Sequence, residues 1–88
     1  MKPYPVLLAE LLSTELSSLR QQKALTQKAM AEQLHISSRA YSDLEHGRYA
    51  ASAPTLMLLL PMLDADAQYA LVQQFMKRVQ ALEGTDAA

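Results

Sequence analysis

The chain has no cysteine, only 2 glycines and 1 phenylalanine in 88 residues, and no excess of either charge. Without cysteine there is no disulfide framework, no thiol nucleophile and no cysteine-ligated metal. So few glycines, in a chain that is 50% apolar and 19% charged, describe an ordered, helix-rich protein rather than a disordered or fibrous one. A net charge of -1 and a pI near 6.0 exclude a generally polycationic nucleic-acid binder. The longest apolar run, LMLLLPML, is far too short to span a bilayer. The opening MKPYPVLLAELLSTEL is interrupted by Glu10 and Glu15 and does not read as a signal peptide. A cytoplasmic location and no membrane partner are therefore expected. The length allows one domain, residues 1–88, with one modest core and no room for a deep enzyme pocket.

What charge there is lies unevenly. Between Leu19 and Tyr49, the cations Arg20, Lys23, Lys28, Arg39 and Arg48 outnumber Glu32, Asp43 and Glu45. The flanks carry Lys2, Lys77 and Arg78 against Glu10, Glu15, Asp64, Asp66, Glu83 and Asp86. A polyanion is welcome only in the middle.

Apolar spacing predicts five helices and no strands, hence an all-α fold. Leu8, Leu12, Leu16 and Leu19 place the first helix at about Val6 to Lys23. Thr26 is an N-cap candidate for a short second helix, about Gln27 to Leu34, and Ser37 for a third, about Ser38 to His46. His35 sits at a sharp turn that calls for a positive φ, and Gly47 suits a left-handed stop after the third helix. Tyr41, on the apolar side of that helix, is expected in the core. TLMLLLPML predicts a central buried fourth helix, kinked or split at Pro61. Asp64 or Asp66 caps a fifth, about residues 65–83, whose wide stripe holds Leu71, Val72, Phe75, Met76, Val79 and Leu82 and which ends before Gly84. The last residues, EGTDAA, read as a frayed tail.

The second and third helices are joined by about three residues, and the third has a mixed polar face: Ser38, Arg39, Ser42 and Asp43. That is the anatomy of a helix-turn-helix, spanning about residues 26–46 within a core of about 6–63, in which the second of the pair lies in a major groove of DNA. The N-terminal end of such a helix touches base edges. Arg39 suits a bidentate contact with guanine, and Asp43 can accept from a cytosine amino group. Ser38 and Ser42 complete the candidate base contacts. Candidate phosphate contacts are Gln27, Lys28, Ser37, Arg48 and Tyr49.

The run LRQQKALTQKAMAEQLHISSRAYSDLEHG resembles the phage-repressor (Cro/XRE) type of helix-turn-helix regulator. The resemblance rests on Arg20, Thr26, Gln27, Ala31, Leu34, Ile36, Ser37, Glu45 and Gly47 taken together, with Leu56, Leu59 and Leu63 in the following helix. It implies a five-helix phage-repressor-like domain and a sequence-specific transcriptional regulator, a repressor, bound to a palindromic operator in double-stranded DNA. It also implies a structural ion pair between Arg20 and Glu45. The wide stripe of the fifth helix points to a homodimer through Leu71, Phe75, Met76, Val79 and Leu82, since two linked copies bind far better than one. The competing expectation is an antitoxin or other protein-binding module, whose partner is a toxin or another regulator. No cofactor or metal is expected, because His35 and His46 lie at turn and cap positions with no third ligand beside them. Nor is an enzyme: Ser42, Glu45 and His46 do not form a triad, because neighbours on a helix point to different sides.

Overall fold

The computed structural model describes residues 3–87. In chain order they form α1 (Tyr4–Gln22), α2 (Gln27–Gln33), α3 (Ser38–Glu45), α4 (Ala53–Leu59), a 3₁₀ turn (Leu60–Met62) and α5 (Ala65–Ala87), with no strand among the described residues. The expected all-α architecture is thus the observed one.

Short polar side chains set the helix starts. Thr26 Oγ1 accepts from the Ala29 N–H at 3.0 Å, Ser37 Oγ from Ala40 at 3.0 Å, and Asp64 Oδ1 from Ala67 at 2.7 Å. Each satisfies one of the four N–H groups that a helix start leaves without a partner. Ser52 does the same for α4, taking the Thr55 N–H at 3.3 Å, a cap that the sequence reading passed over. α1 begins at Tyr4 rather than Val6, because Pro5 falls in the first turn, where a missing N–H costs nothing.

The first three helices end alike. In each, the residue after the cap is left-handed: Ala24 at φ 53°, His35 at 57° and Gly47 at 74°. The next N–H then reaches back five residues, from Leu25 to the Arg20 carbonyl (3.1 Å), from Ile36 to Ala31 (3.0 Å) and from Arg48 to Asp43 (2.9 Å). Only Gly47 adopts this conformation freely; a side chain there costs roughly 1–2 kcal/mol. Ala24 and His35 accept that strain because the turn swings Leu25 and Ile36 against the core, a gain of similar size.

The core is Leu11, Leu12, Leu16 and Leu19 of α1 against Met30, Ala31 and Leu34 of the second helix and Tyr41 and Leu44 of the third, closed by Leu59, Leu63 and Leu71. α4 corrects the expectation of a central buried helix. Thr55, Leu59 and Leu63 are buried, but Met57 is 66% exposed and Leu58 42%. A helix of two turns at the edge of the core can turn only one stripe inward. Its end at Leu59, followed by the 3₁₀ turn through Pro61, is the expected split: proline offers no N–H to continue the α-helical ladder.

α5 runs antiparallel to α1, with Arg78 Nη1 3.2 Å from Glu10 Oε2 and the Tyr4 hydroxyl donating to Glu83. It passes through Gly84 instead of stopping before it. Glycine permits a left-handed stop without imposing one. The tail expected after the helix therefore belongs, as far as Ala87, to its last turns. No helix among the described residues is long and apolar enough to cross a membrane.

Candidate nucleic-acid interface

Successive residues on a helix are turned by about 100°. On α3 this buries Tyr41 and Leu44, and brings Arg39, Ser42 and His46 onto one outward row beside exposed Ser38. The row presents unlike groups. Arg39 makes no ion pair with any described residue, so its guanidinium is available as a fork of donors. His46 Nδ1 lies 2.7 Å from the Ser42 carbonyl oxygen and 3.3 Å from Ser42 Oγ. Because a carbonyl only accepts, Nδ1 carries the hydrogen in this contact. His46 was read from the sequence only as a cap. Counting i, i+3, i+7 from Arg39 is the signal that finds it.

Asp43, expected to read a base, is engaged within the chain itself. It lies one turn on from Arg39, at the edge of the row nearest the segment after Gly47, where it borders a hollow of about 210 Å³ with Tyr49, Ser52 and Thr55. Its Oδ1 accepts from Arg48 Nη1 at 2.7 Å. Two residues assigned to separate DNA contacts are therefore bound to each other in the free protein.

Among the candidate phosphate contacts, Lys28, Ser37, Arg48 and Tyr49 are exposed and Gln27 is half-buried. The Ser37 hydroxyl caps α3 as an acceptor and keeps its own hydrogen to give. Gln27 lies 3.5 Å from Glu45 Oε1, a long and weak hydrogen bond.

Glu45 anchors the far end of α3. Arg20 Nε donates to its Oε2 at 2.9 Å and Nη2 to its Oε1 at 2.8 Å, a two-pronged contact between α1 and α3. The remaining guanidinium nitrogen gives a hydrogen bond to the Leu25 carbonyl at 3.2 Å, tying in the turn before α2. Ser13 donates to the Glu45 backbone carbonyl, so both the side chain and the backbone of this residue are held by α1. The Arg20 hydrogen bonds draw the Glu45 carboxyl down to about 2, against the opposing pull of burial. The Tyr41 hydroxyl is buried beside the pair without a hydrogen-bond partner, and burial, followed by the Glu45 carboxylate, raises it well above the usual tyrosine range.

A polar groove of about 590 Å³ opens along the same side, lined by Ser13, Thr14, Ser17, Ser18 and Gln21 of α1 with Gln27, Glu45 and His46. Its row of hydroxyls was legible in LLSTELSSL as a helical polar face, yet the sequence reading did not single it out.

On α5, Leu71 is 7% exposed and packed in the chain's own core, with Phe75 against it. Both leave the outer face on which a partner was expected. The apolar side chains that stay exposed there are Tyr69, Val72 and Met76, at helical spacing i, i+3, i+7, with Leu82 farther along.

Neither a curated protein nor a solved structure matches the chain. Residues 11–70 match the family model of a helix-turn-helix domain, which covers the capped pair α2–α3, the Arg20–Glu45 clamp and the start of α5. The chain belongs to the helix-turn-helix domain family of DNA-binding proteins, in agreement with its resemblance to phage-repressor-type regulators.

Proposed function

We propose that this protein is a sequence-specific transcriptional regulator, a repressor, that places α3 in the major groove of a palindromic operator. The observation that carries the reading is the outward row of Arg39, Ser42 and His46 on a short helix whose opposite side is committed to the core. No packing need explains such a mixture; base edges, which present donors and acceptors side by side, do. Arg39 and Ser38 read bases near the N-terminal end of the helix, and Ser42 follows one turn on. Gln27, Lys28, Ser37 and Tyr49 hold the phosphates on either side. The protein's place of action on this reading is the cytoplasm, at the nucleoid.

One copy offers few phosphate contacts, so the protein acts as a homodimer with its two α3 helices about 34 Å apart, in successive major grooves. The exposed Tyr69, Val72 and Met76 of α5 support this pairing face. The same surface supports a second reading, in which α5 holds a different protein, as an antitoxin holds its toxin.

The test is fluorescence anisotropy of the protein on the DNA upstream of its own coding region, against scrambled DNA of equal length, across a salt series. Tight, salt-sensitive binding that scrambled DNA does not compete away is the expected result. Equal, weak binding to both would overturn the regulator reading in favour of the protein-partner one.

A further inference from the structure

The unpaired cations around α3 are fewer in the folded chain than the composition suggests, although the net surplus of positive charge is the same. Arg20 is consumed by Glu45 and Arg48 by Asp43, which leaves Lys23, Lys28 and Arg39 against Glu32. The first pair joins helices and is structural. The second joins nothing that the backbone has not already joined, because the Arg48 N–H is bonded to the Asp43 carbonyl at 2.9 Å through the turn at Gly47. The two pairs also differ in access to water: the Arg48 side chain is 59% exposed, whereas Asp43 is 18% exposed and set against Tyr49, Ser52 and Thr55. The acid is the fixed member and the arginine the movable one.

We propose that Asp43 is a restraint on Arg48: it holds that cation away from the phosphate backbone and so sets the sequence-independent part of DNA affinity. This rests on the DNA-binding reading and replaces the idea that Asp43 accepts from a base. Phosphate contacts made by lysine and arginine supply almost all non-specific binding, each steepening the fall of log K with log salt by about 0.9. Arg48 held on Asp43 is one such contact withheld. The carboxylate beside it repels phosphate as well, so an Asp43→Asn protein gains both a free cation and a neutral neighbour.

The experiment measures anisotropy titrations of wild type, Asp43→Asn, Arg48→Ala and the double variant on a labelled mixed-sequence duplex and on the upstream DNA, from about 50 to 200 mM salt. Asp43→Asn is expected to bind both duplexes several-fold more tightly at low salt. Its salt slope is steeper by about 0.9, so the gain shrinks about 3- to 4-fold over that range. Arg48→Ala alone changes little, and in the double variant the steeper slope is gone. A shift in preference among sequences at unchanged slope would overturn the proposal and restore Asp43 as a base reader. An equal gain in the Arg48→Ala background would overturn it in favour of simple repulsion by the carboxylate. Binding by the wild type without a gain in Asp43→Asn overturns the restraint alone, whereas failure of every variant to bind any duplex overturns the DNA-binding reading and the restraint's consequence with it. A readout independent of DNA is ¹⁵N relaxation of the Arg48 side-chain Nε–H, ordered in the wild type and loose in Asp43→Asn; equal mobility in both would overturn the restraint.

Discussion

Replacing Glu45 by glutamine tests whether the clamp between α1 and α3 governs stability. The substitution keeps the shape and one acceptor oxygen but removes the charge from a side chain that is 9% exposed and doubly bonded to Arg20. A carboxyl that ordinarily titrates at 4.5 and is drawn down to about 2 in the fold corresponds to up to about 3 kcal/mol of stability at neutral pH. Arg20 is 24% exposed, and water on that side reduces the figure to about 2 kcal/mol. The sign follows from the direction of the change. Because the folded chain releases this proton more readily than the unfolded one, the stabilisation is whole above about 4.5, declines as pH falls, and is gone below about 2. Urea unfolding followed by circular dichroism, at several pH values from neutral to acid, checks this. Glu45→Gln should lower the midpoint at neutral pH without changing the slope, and the gap from wild type should close in acid. A gap that persists undiminished at low pH, or no gap at neutral pH, would refute the argument.

Other expectations follow from the same geometry. Arg39→Ala should relax base preference with a loss of about 1–3 kcal/mol on the upstream DNA, whereas Gln27→Ala should weaken matched and scrambled DNA alike; anisotropy on both duplexes separates them. His35→Gly should raise stability by about 0.5–1 kcal/mol, the relief of left-handed strain outweighing the looser unfolded chain, and a melting curve reads this as a higher midpoint. Val72→Glu, on the exposed face of α5, should leave the circular dichroism spectrum unchanged and shift sedimentation from dimer to monomer. An unaltered sedimentation coefficient would move the pairing face elsewhere.

Much of this fold is legible in the chain because local chemistry decides it. Thr26, Ser37 and Asp64 announce helix starts, Gly47 announces a stop, and Pro61 interrupts whatever precedes it. Elsewhere the decision is not local. Alanine is an excellent helix former, so nothing in Lys23-Ala24-Leu25 signals a left-handed turn; it arises because burying Leu25 outweighs the strain. The apolar run from Leu56 to Leu63 looks wholly buried by composition, yet a short helix has an outer side wherever its neighbours leave one. The wide stripe on α5 likewise does not say which edge faces home, and α1 takes Leu71 and Phe75. At the site, the Arg39 row is a matter of counting residues along a helix. The Asp43–Arg48 pair instead depends on how the turn at Gly47 folds the arginine back.

The position of α1 between α3 and α5 has a further consequence. α3 and α5 each pack on α1 but share at most a marginal contact with each other. Side chains on the outer face of α5, such as Tyr69, Val72 and Met76, can therefore be exchanged without disturbing those that hold α3 in place. In the homodimer proposed above, paired through α5, this separates two design variables. The residues of α3 set which letters are recognised, while the crossing of two α5 helices sets the gap between the words, and either can be revised while the other stays as it is.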